Sequence, residues 1–227
     1  MTVAAMLAAS LNAPQAQSVH VLSQAAEPPN LGQLKTRLTA YYQCKCTCGC
    51  YAKVLDQQEQ KAMAFLERAA AGKKAGEKLA LVLDIDDTSL STWPEISAND
   101  FGFVSAAWTA WAERSEAPVI AGTLRLFKRA EELGVAVFFI TGRADTLREA
   151  TEKNLHNAGY DKWDGLTMRT KDQMAEKTIA YKSAARAAIV AQGYRMILNV
   201  GDQFSDLRGQ PLAEYSVKLP NPFYYIP

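Results

Sequence analysis

Three apolar runs, each closed by a polar residue, constrain this chain more than any other feature. Leu79-Ala80-Leu81-Val82-Leu83 ends in Asp84, Val135-Ala136-Val137-Phe138-Phe139-Ile140 ends in Thr141, and Met196-Ile197-Leu198-Asn199-Val200 ends in Gly201-Asp202. Continuous apolar runs of this length suit strands buried on both faces. Between them the period turns helical. Ile120, Leu124 and Phe127 share a stripe within residues 119 to 133, stopped at Gly134. Leu147, Thr151, Leu155 and Ala158 share another, with Asp145 as the expected N-cap and Gly159 as the stop. Residues 177 to 192 form a third helix before Gly193, and Leu166 to Arg169 a short strand. This alternation predicts an α/β fold, a parallel sheet with helices on both faces.

The remaining segments flank that unit. Residues 1 to 30 lack periodicity and end in Glu27-Pro28-Pro29-Asn30, a linker signal. Residues 3 to 11 have the length and apolarity of a signal-peptide core, although no Lys or Arg precedes Lys35 and the small-x-small site Ser23-Gln24-Ala25 is distant. The preferred expectation is a secreted or periplasmic protein, and the alternative a cytoplasmic one with an Ala-rich tail. Residues 31 to 76 read as an N-terminal helical extension, interrupted by Cys44, Cys46, Cys48 and Cys50. This run departs from C-x2-C zinc spacing. It fits disulfides in an oxidising compartment, a soft metal in a reducing one, or thiols with no special role. Residues 77 to 227 hold the α/β unit, with an aromatic-rich insert at 89 to 118. Lys and Arg total 25 against 24 Asp and Glu, so there is no general attraction for a nucleic acid polymer. No apolar run reaches the roughly 20 residues of a membrane span.

Acidic residues follow two of the strands: Asp84, Asp86 and Asp87 after one, Asp202 and Asp206 after another. Ligands of open α/β sheets bind outside such strand ends. Carboxylates converging there repel one another, and a hard divalent cation such as Mg²⁺ offsets the repulsion. One carboxylate can attack phosphorus, and a second, two residues on, can protonate the leaving oxygen and later activate water. A hydroxyl and a lysine can hold the transferring oxygens. Asp84, Asp86, Thr141, Lys182 and Asp202 supply these parts. Taken singly, each is an ordinary cap, turn or surface residue; their order and spacing give the signal.

Asp84-Ile85-Asp86-Asp87-Thr88 resembles the first motif, D-x-D-x-T, of the haloacid dehalogenase (HAD) superfamily. Ile140-Thr141-Gly142-Arg143 resembles its second motif, Tyr181-Lys182-Ser183 with Arg186 its lysine motif, and Gly201-Asp202-Gln203-Phe204-Ser205-Asp206-Leu207 its acidic fourth. Thr88-Ser89-Leu90-Ser91, Trp93-Pro94-Glu95 and Lys218-Leu219-Pro220-Asn221-Pro222 resemble the subfamily IIIB acid phosphatase branch, which holds plant vegetative storage proteins and bacterial secreted acid phosphatases. The resemblance spans residues 50 to 227 and implies a Rossmann-like HAD fold, Mg²⁺ as cofactor and a small-molecule phosphomonoester as substrate. It makes Asp84 the nucleophile and a Mg²⁺ ligand, and Asp86 the general acid/base with a main-chain oxygen on Mg²⁺. Thr141 and the Gly142 amide bind phosphate, Lys182 pairs with nucleophile and phosphate, Asp202 ligates Mg²⁺, and Asp206 supports the metal shell or Lys182. A homo-oligomer is compatible with this reading.

Other phosphatase chemistries fit poorly. There are two histidines, His20 in the tail and His156 within a predicted helix. Positions 50, 52, 54 and 56, six past each cysteine, hold no arginine. Within the insert, Phe101 or Phe103 is expected to stack on an aromatic leaving group, against the alternative that the aromatics only pack the insert onto the sheet. An acidic rate optimum is expected, with Asp86 protonated while Asp84 stays ionised. The competing readings are a phospho-receiver module, a storage or metal-handling protein with a weak site, and a phosphotransferase.

Overall fold

A computed structural model describes residues 28–45 and 50–227. The apolar run at 3 to 11, the Ser23-Gln24-Ala25 site, Cys46 and Cys48 lie outside the described residues. Two helices come first, α1 (Leu31–Gln43) and α2 (Tyr51–Ala71), followed by strand β1 (Lys78–Leu83). Cys44 caps the end of α1 and Cys50 the start of α2, where the buried Cys50 thiol donates to the Cys44 carbonyl at 3.2 Å.

The insert carries two short helices, α3 (Trp93–Ala98) and α4 (Ser105–Glu113). Its ends are pinned together, Ser91 N–H donating to Pro118 O at 2.7 Å and Ile120 N–H to Ser89 O at 3.0 Å. The alternation then runs α5 (Ala121–Glu132), β2 (Ala136–Ala144), α6 (Arg148–Asn157), β3 (Gly165–Arg169), α7 (Thr178–Ala191), β4 (Tyr194–Gly201), α8 (Phe204–Leu207) and β5 (Tyr215–Lys218). All strand pairings are parallel, in the order β3-β2-β1-β4-β5.

Alternation of side chains across the pleat sends each strand into two cores. Leu79, Leu81 and Leu83 of β1 join Val137 and Phe139 of β2 on one face, under Ala62 and Leu66 of α2 and Leu126, Phe127 and Ala130 of α5. Ala80 and Val82 join Phe138, Ile140 and Met196 on the other, under Tyr181, Ala185 and Ile189 of α7. The all-apolar sequence of β1 follows from this two-sided burial. α2 also packs against β4 and β5, so its apolar stripe closes the same core as the sheet.

Two local details differ from the sequence expectations. Asp145 does not cap α6: a 3₁₀ turn over Asp145–Leu147 comes first, and no side-chain cap bond forms. The cause is that β2 runs on past Ile140 to Ala144, which pairs with Arg169. Strand β5 is a short, half-exposed edge strand with too few apolar residues to signal itself.

Candidate active site

The ends of β1, β2 and β4 bring the motif residues together. Asp84 leaves β1 with its N–H on Val200 O (3.0 Å) of β4, so the strand pairing itself fixes the first carboxylate. Lys182, one turn into α7, places its ammonium 2.5 Å from Asp84 Oδ1 and also donates to Asp206 Oδ1. Asp206 is held from three sides. Its Oδ2 accepts from Gln203 N–H (2.8 Å), its carbonyl accepts from Asn199 (2.9 Å), and buried Arg186 binds that carbonyl too (2.7 Å). Arg186 also gathers the carbonyls of Arg208, Gly209 and Pro211, which fixes the loop after α8.

Asp202 completes the cluster. Its Oδ1 accepts from Thr88 (3.2 Å), and its Oδ2 accepts from Gln203 (2.8 Å) and Asn221 (2.6 Å). Ligand oxygens of Asp84, Asp202 and Asp206 all lie within 4.8 Å of one another, and all three residues are buried. Lys182 is the cation that bonds to this cluster directly, and Lys218 interacts with Asp202 and Asp206 from further off. Burial drives the Asp84 carboxyl well above its usual range, with Asp206, Asp202 and Asp86 adding to the rise against the pull of Lys182. Burial, Asp206 and Asp87 push Asp202 up to about 7. Burial alone would lower the Lys182 ammonium, but Asp206 and Asp84 outweigh it and raise it. A buried cluster of hard oxygen donors, whose carboxyls are raised first by burial and then by one another, is chemically matched to a divalent cation.

The second group of residues faces this cluster. Thr141 is buried, its carbonyl accepting from Tyr181 (3.0 Å) and its Oγ1 from Arg143 N–H (3.2 Å). Gly142 is exposed, and a Cβ there would meet nothing within 4 Å, which leaves room beside its amide. Asp86 lies in the loop after Asp84, its carboxylate gripped by the Arg143 guanidinium through Nε (3.1 Å to each oxygen) and Nη2 (2.7 Å). Asp87 adopts a left-handed backbone (φ 53°), a conformation Asp tolerates better than most residues. Its buried carboxylate accepts from Thr92 N–H (2.9 Å) and the Thr92 hydroxyl, and burial pushes it up to about 6.

The structure thus gathers Asp84, Asp86, Thr141, Gly142, Lys182, Asp202 and Asp206, all predicted from sequence. Phe101 packs edge-on to Trp93 (5.9 Å) and near Phe223 (6.4 Å), in a cluster where Trp93 stacks on Tyr42 at 3.9 Å. Phe103 is 76% exposed, 6.3 Å from Trp108. A further insert aromatic, Trp108, has the Arg143 guanidinium 5.9 Å from its ring centre. Sequence reasoning assigned no role to Arg143, Gln203, Asn221 or Tyr224. Arg143, Gln203 and Asn221 stand inside the motif stretches, so position was their one available signal. His156 lies in α6 against Trp163 (4.9 Å).

Fold and site together define a parallel α/β protein with a buried acidic centre at its strand ends. The chain belongs to the HAD superfamily, subfamily IIIB (acid phosphatase), whose family model matches residues 4–227. It is 39% identical to acid phosphatase 1 of Solanum lycopersicum over 148 residues, which are 64% of this chain and 58% of that protein. It is 36% identical to the stem 28 kDa glycoprotein of Glycine max over 154 residues, 66% of this chain and 61% of that one. Vegetative storage protein 1 of Arabidopsis thaliana is 34% identical over 150 residues, 64% of this chain and 55% of that one. The matched stretch thus covers less than two thirds of each relative's length. The fold is that of the class C acid phosphatase from Bacillus anthracis, solved with tungstate bound, at a TM-score of 0.69, 21% identity and 85% of each chain.

Proposed function

We propose that the protein is a Mg²⁺-dependent phosphomonoesterase that works through an aspartyl-phosphate on Asp84. The observation that carries this reading is the Asp84–Lys182–Asp206–Asp202 cluster, which holds a nucleophile, a cation beside it and three carboxylates close enough to share a metal ion in one buried site. Asp84, Asp202 and the main-chain oxygen of Asp86 are the residues to hold the metal, with Asp206 supporting it and Lys182. When bound, Mg²⁺ supplies positive charge to the transferring phosphoryl oxygens.

Lys182 holds Asp84 Oδ1, so the other carboxylate oxygen is the one directed at phosphorus. It forms the Asp84–phosphorus bond as the bond from phosphorus to the leaving oxygen breaks. Asp86 gives its proton to that oxygen, and the alcohol departs. The Thr141 hydroxyl, the Gly142 amide and Lys182 hold the phosphoryl oxygens. Asp86, now ionised, takes a proton from water. The water oxygen bonds to phosphorus, Asp84 is released and inorganic phosphate leaves. The tungstate held by the Bacillus anthracis enzyme is a tetrahedral oxyanion like phosphate, which supports the same ligand class here. Export rests on the apolar run at residues 3 to 11.

The storage-protein relatives sustain a second reading, a catalytically weak protein on the same fold. Hydrolysis of p-nitrophenyl phosphate from acid to alkaline pH, with Mg²⁺ and with EDTA, for wild type and Asp84→Asn, separates the two. Metal-dependent turnover that disappears in the variant is expected. A folded, Mg²⁺-supplied wild type without turnover overturns the enzyme reading, and a single labelling event without release points to a receiver. Added alcohol acceptors that capture the phosphoryl group would make the protein a phosphotransferase.

A further inference from the structure

We infer that Arg143 is a positioning residue that sets the acid/base carboxylate of Asp86. This rests on the mechanism proposed above. The guanidinium makes three contacts to Asp86, two from Nε at 3.1 Å and one from Nη2 at 2.7 Å. A planar fork of this kind fixes the plane of a carboxylate as well as its distance, which a point charge does not. The backbone N–H of the same residue donates to Thr141 Oγ1 at 3.2 Å. That hydroxyl is thereby an acceptor toward the protein, and its own proton is left to donate outward, toward a phosphoryl oxygen.

Arg143 is itself held firmly. Its side chain is 1% exposed, whereas that of Asp86 is 19% exposed, so the carboxylate is the end of the pair that faces the crevice. Nη1 donates to the buried Thr151 Oγ1 (3.2 Å) of α6, and the Trp108 ring of α4 lies 5.9 Å away on a cation–π contact. The insert thus packs on Arg143 through Trp108, besides its direct bonds from Ser89 to Asp84 O (2.7 Å) and from Thr92 N–H to Asp87 (2.9 Å). General acid catalysis depends on a proton donor held within hydrogen-bond reach of the leaving oxygen. Arg143 is the rigid support that orients this loop side chain, and Asp86 Oδ2, with one 3.1 Å contact against two on Oδ1, is the oxygen left to carry the proton.

A leaving-group comparison tests the assignment. Protonation matters most for an alkoxide and least for p-nitrophenolate, which departs well unaided. The measurement is kcat and KM for p-nitrophenyl phosphate and propyl phosphate, with wild type, Arg143→Lys, Thr151→Val and, as a benchmark, Asp86→Asn. Arg143→Lys keeps the charge and loses the fork. Its kcat on propyl phosphate should fall about ten- to hundredfold more than on p-nitrophenyl phosphate, with KM nearly unchanged, a weaker form of the Asp86→Asn pattern. Thr151→Val, remote from the reacting atoms, should show the same pattern more faintly, and it reads the effect if the lysine variant does not fold. Equal losses on both substrates, or a change confined to KM, overturn the assignment. Absence of turnover in wild type, or its survival in Asp84→Asn, would instead strike at the enzyme reading itself.

Discussion

Lys182 and Asp84, separated by 98 positions in the chain, meet at 2.5 Å in a site where both are buried. A strand end supplies one partner and a helix from the opposite face of the sheet the other. The pair is stable because Asp206 shares the lysine, so the ammonium is desolvated among carboxylates that repay the loss.

Lys182→Met removes that shared cation and leaves the carboxylates facing one another. Without metal at neutral pH, the loss of stability should be about 3–5 kcal/mol, the scale for breaking a buried ion pair from one side. Added Mg²⁺ should recover part of it, while turnover stays abolished. Denaturant unfolding with EDTA and with Mg²⁺ checks this. An unaltered midpoint in EDTA contradicts it.

Stability in EDTA should fall as pH rises from about 4 to about 7. Asp202 is pushed up to about 7 and Asp87 to about 6, against about 3.9 for an unfolded aspartate. Over that window the folded state binds more protons than the unfolded one, so unfolding free energy declines with pH. Below about pH 4 both states are protonated and nothing is lost. Mg²⁺ favours the ionised carboxylates and should raise Tm more at about pH 7.5 than at about pH 5. Thermal melts at both pH values decide the matter, and a metal-free Tm that climbs toward neutrality counts against it.

Gly201→Ala should disable the site from behind. A Cβ there would fall 2.4 Å from Asp206 Cβ and 2.5 Å from its Oδ2, atoms locked by Gln203 and Lys182. The neighbour is a short, fixed side chain with no slack to give. The expected result is a loss of about 10² in kcat/KM from the displaced carboxylate, with the fold retained by circular dichroism. Wild-type kinetics in this variant would show that Asp206 can shift freely.

Asn221→Ala removes a 2.6 Å donor from Asp202 without touching the cluster's charge. Outer-shell partners of this kind are worth about 10–100-fold in metal affinity. The Mg²⁺ concentration for half-maximal turnover should rise by about that factor, while kcat at saturating Mg²⁺ holds. A kcat change with unaltered Mg²⁺ dependence would place Asn221 elsewhere in the mechanism.

Much of this was legible in the chain. β1, with Leu79, Leu81 and Leu83 on one face and Ala80 and Val82 on the other, had to be apolar throughout, so it stood out as an uninterrupted run. The helices of the α/β unit showed because each buries one stripe. Asp84, Thr141 and Asp202 were visible because each follows such a run. Less was legible where the signal was short or conditional. β5 is a half-exposed edge, and Asp145 looked like a cap because the extension of β2 to Ala144 depends on its partner Arg169. Nor did the sequence mark Trp108, among the insert's several aromatics, as the ring that meets Arg143.

By itself the sequence determined which residues are acidic, where they follow strands and which strands are buried on both faces. Those properties are local, written in apolar period and spacing. Only the tertiary structure decided that Arg143 grips Asp86, that Asn221 reaches Asp202 and that Asp206 shares Lys182 with Asp84. Such pairings join residues from different strands, helices and loops. Their energies come from burial and charge in a shared, dry space that exists only once the sheet and its helices have closed.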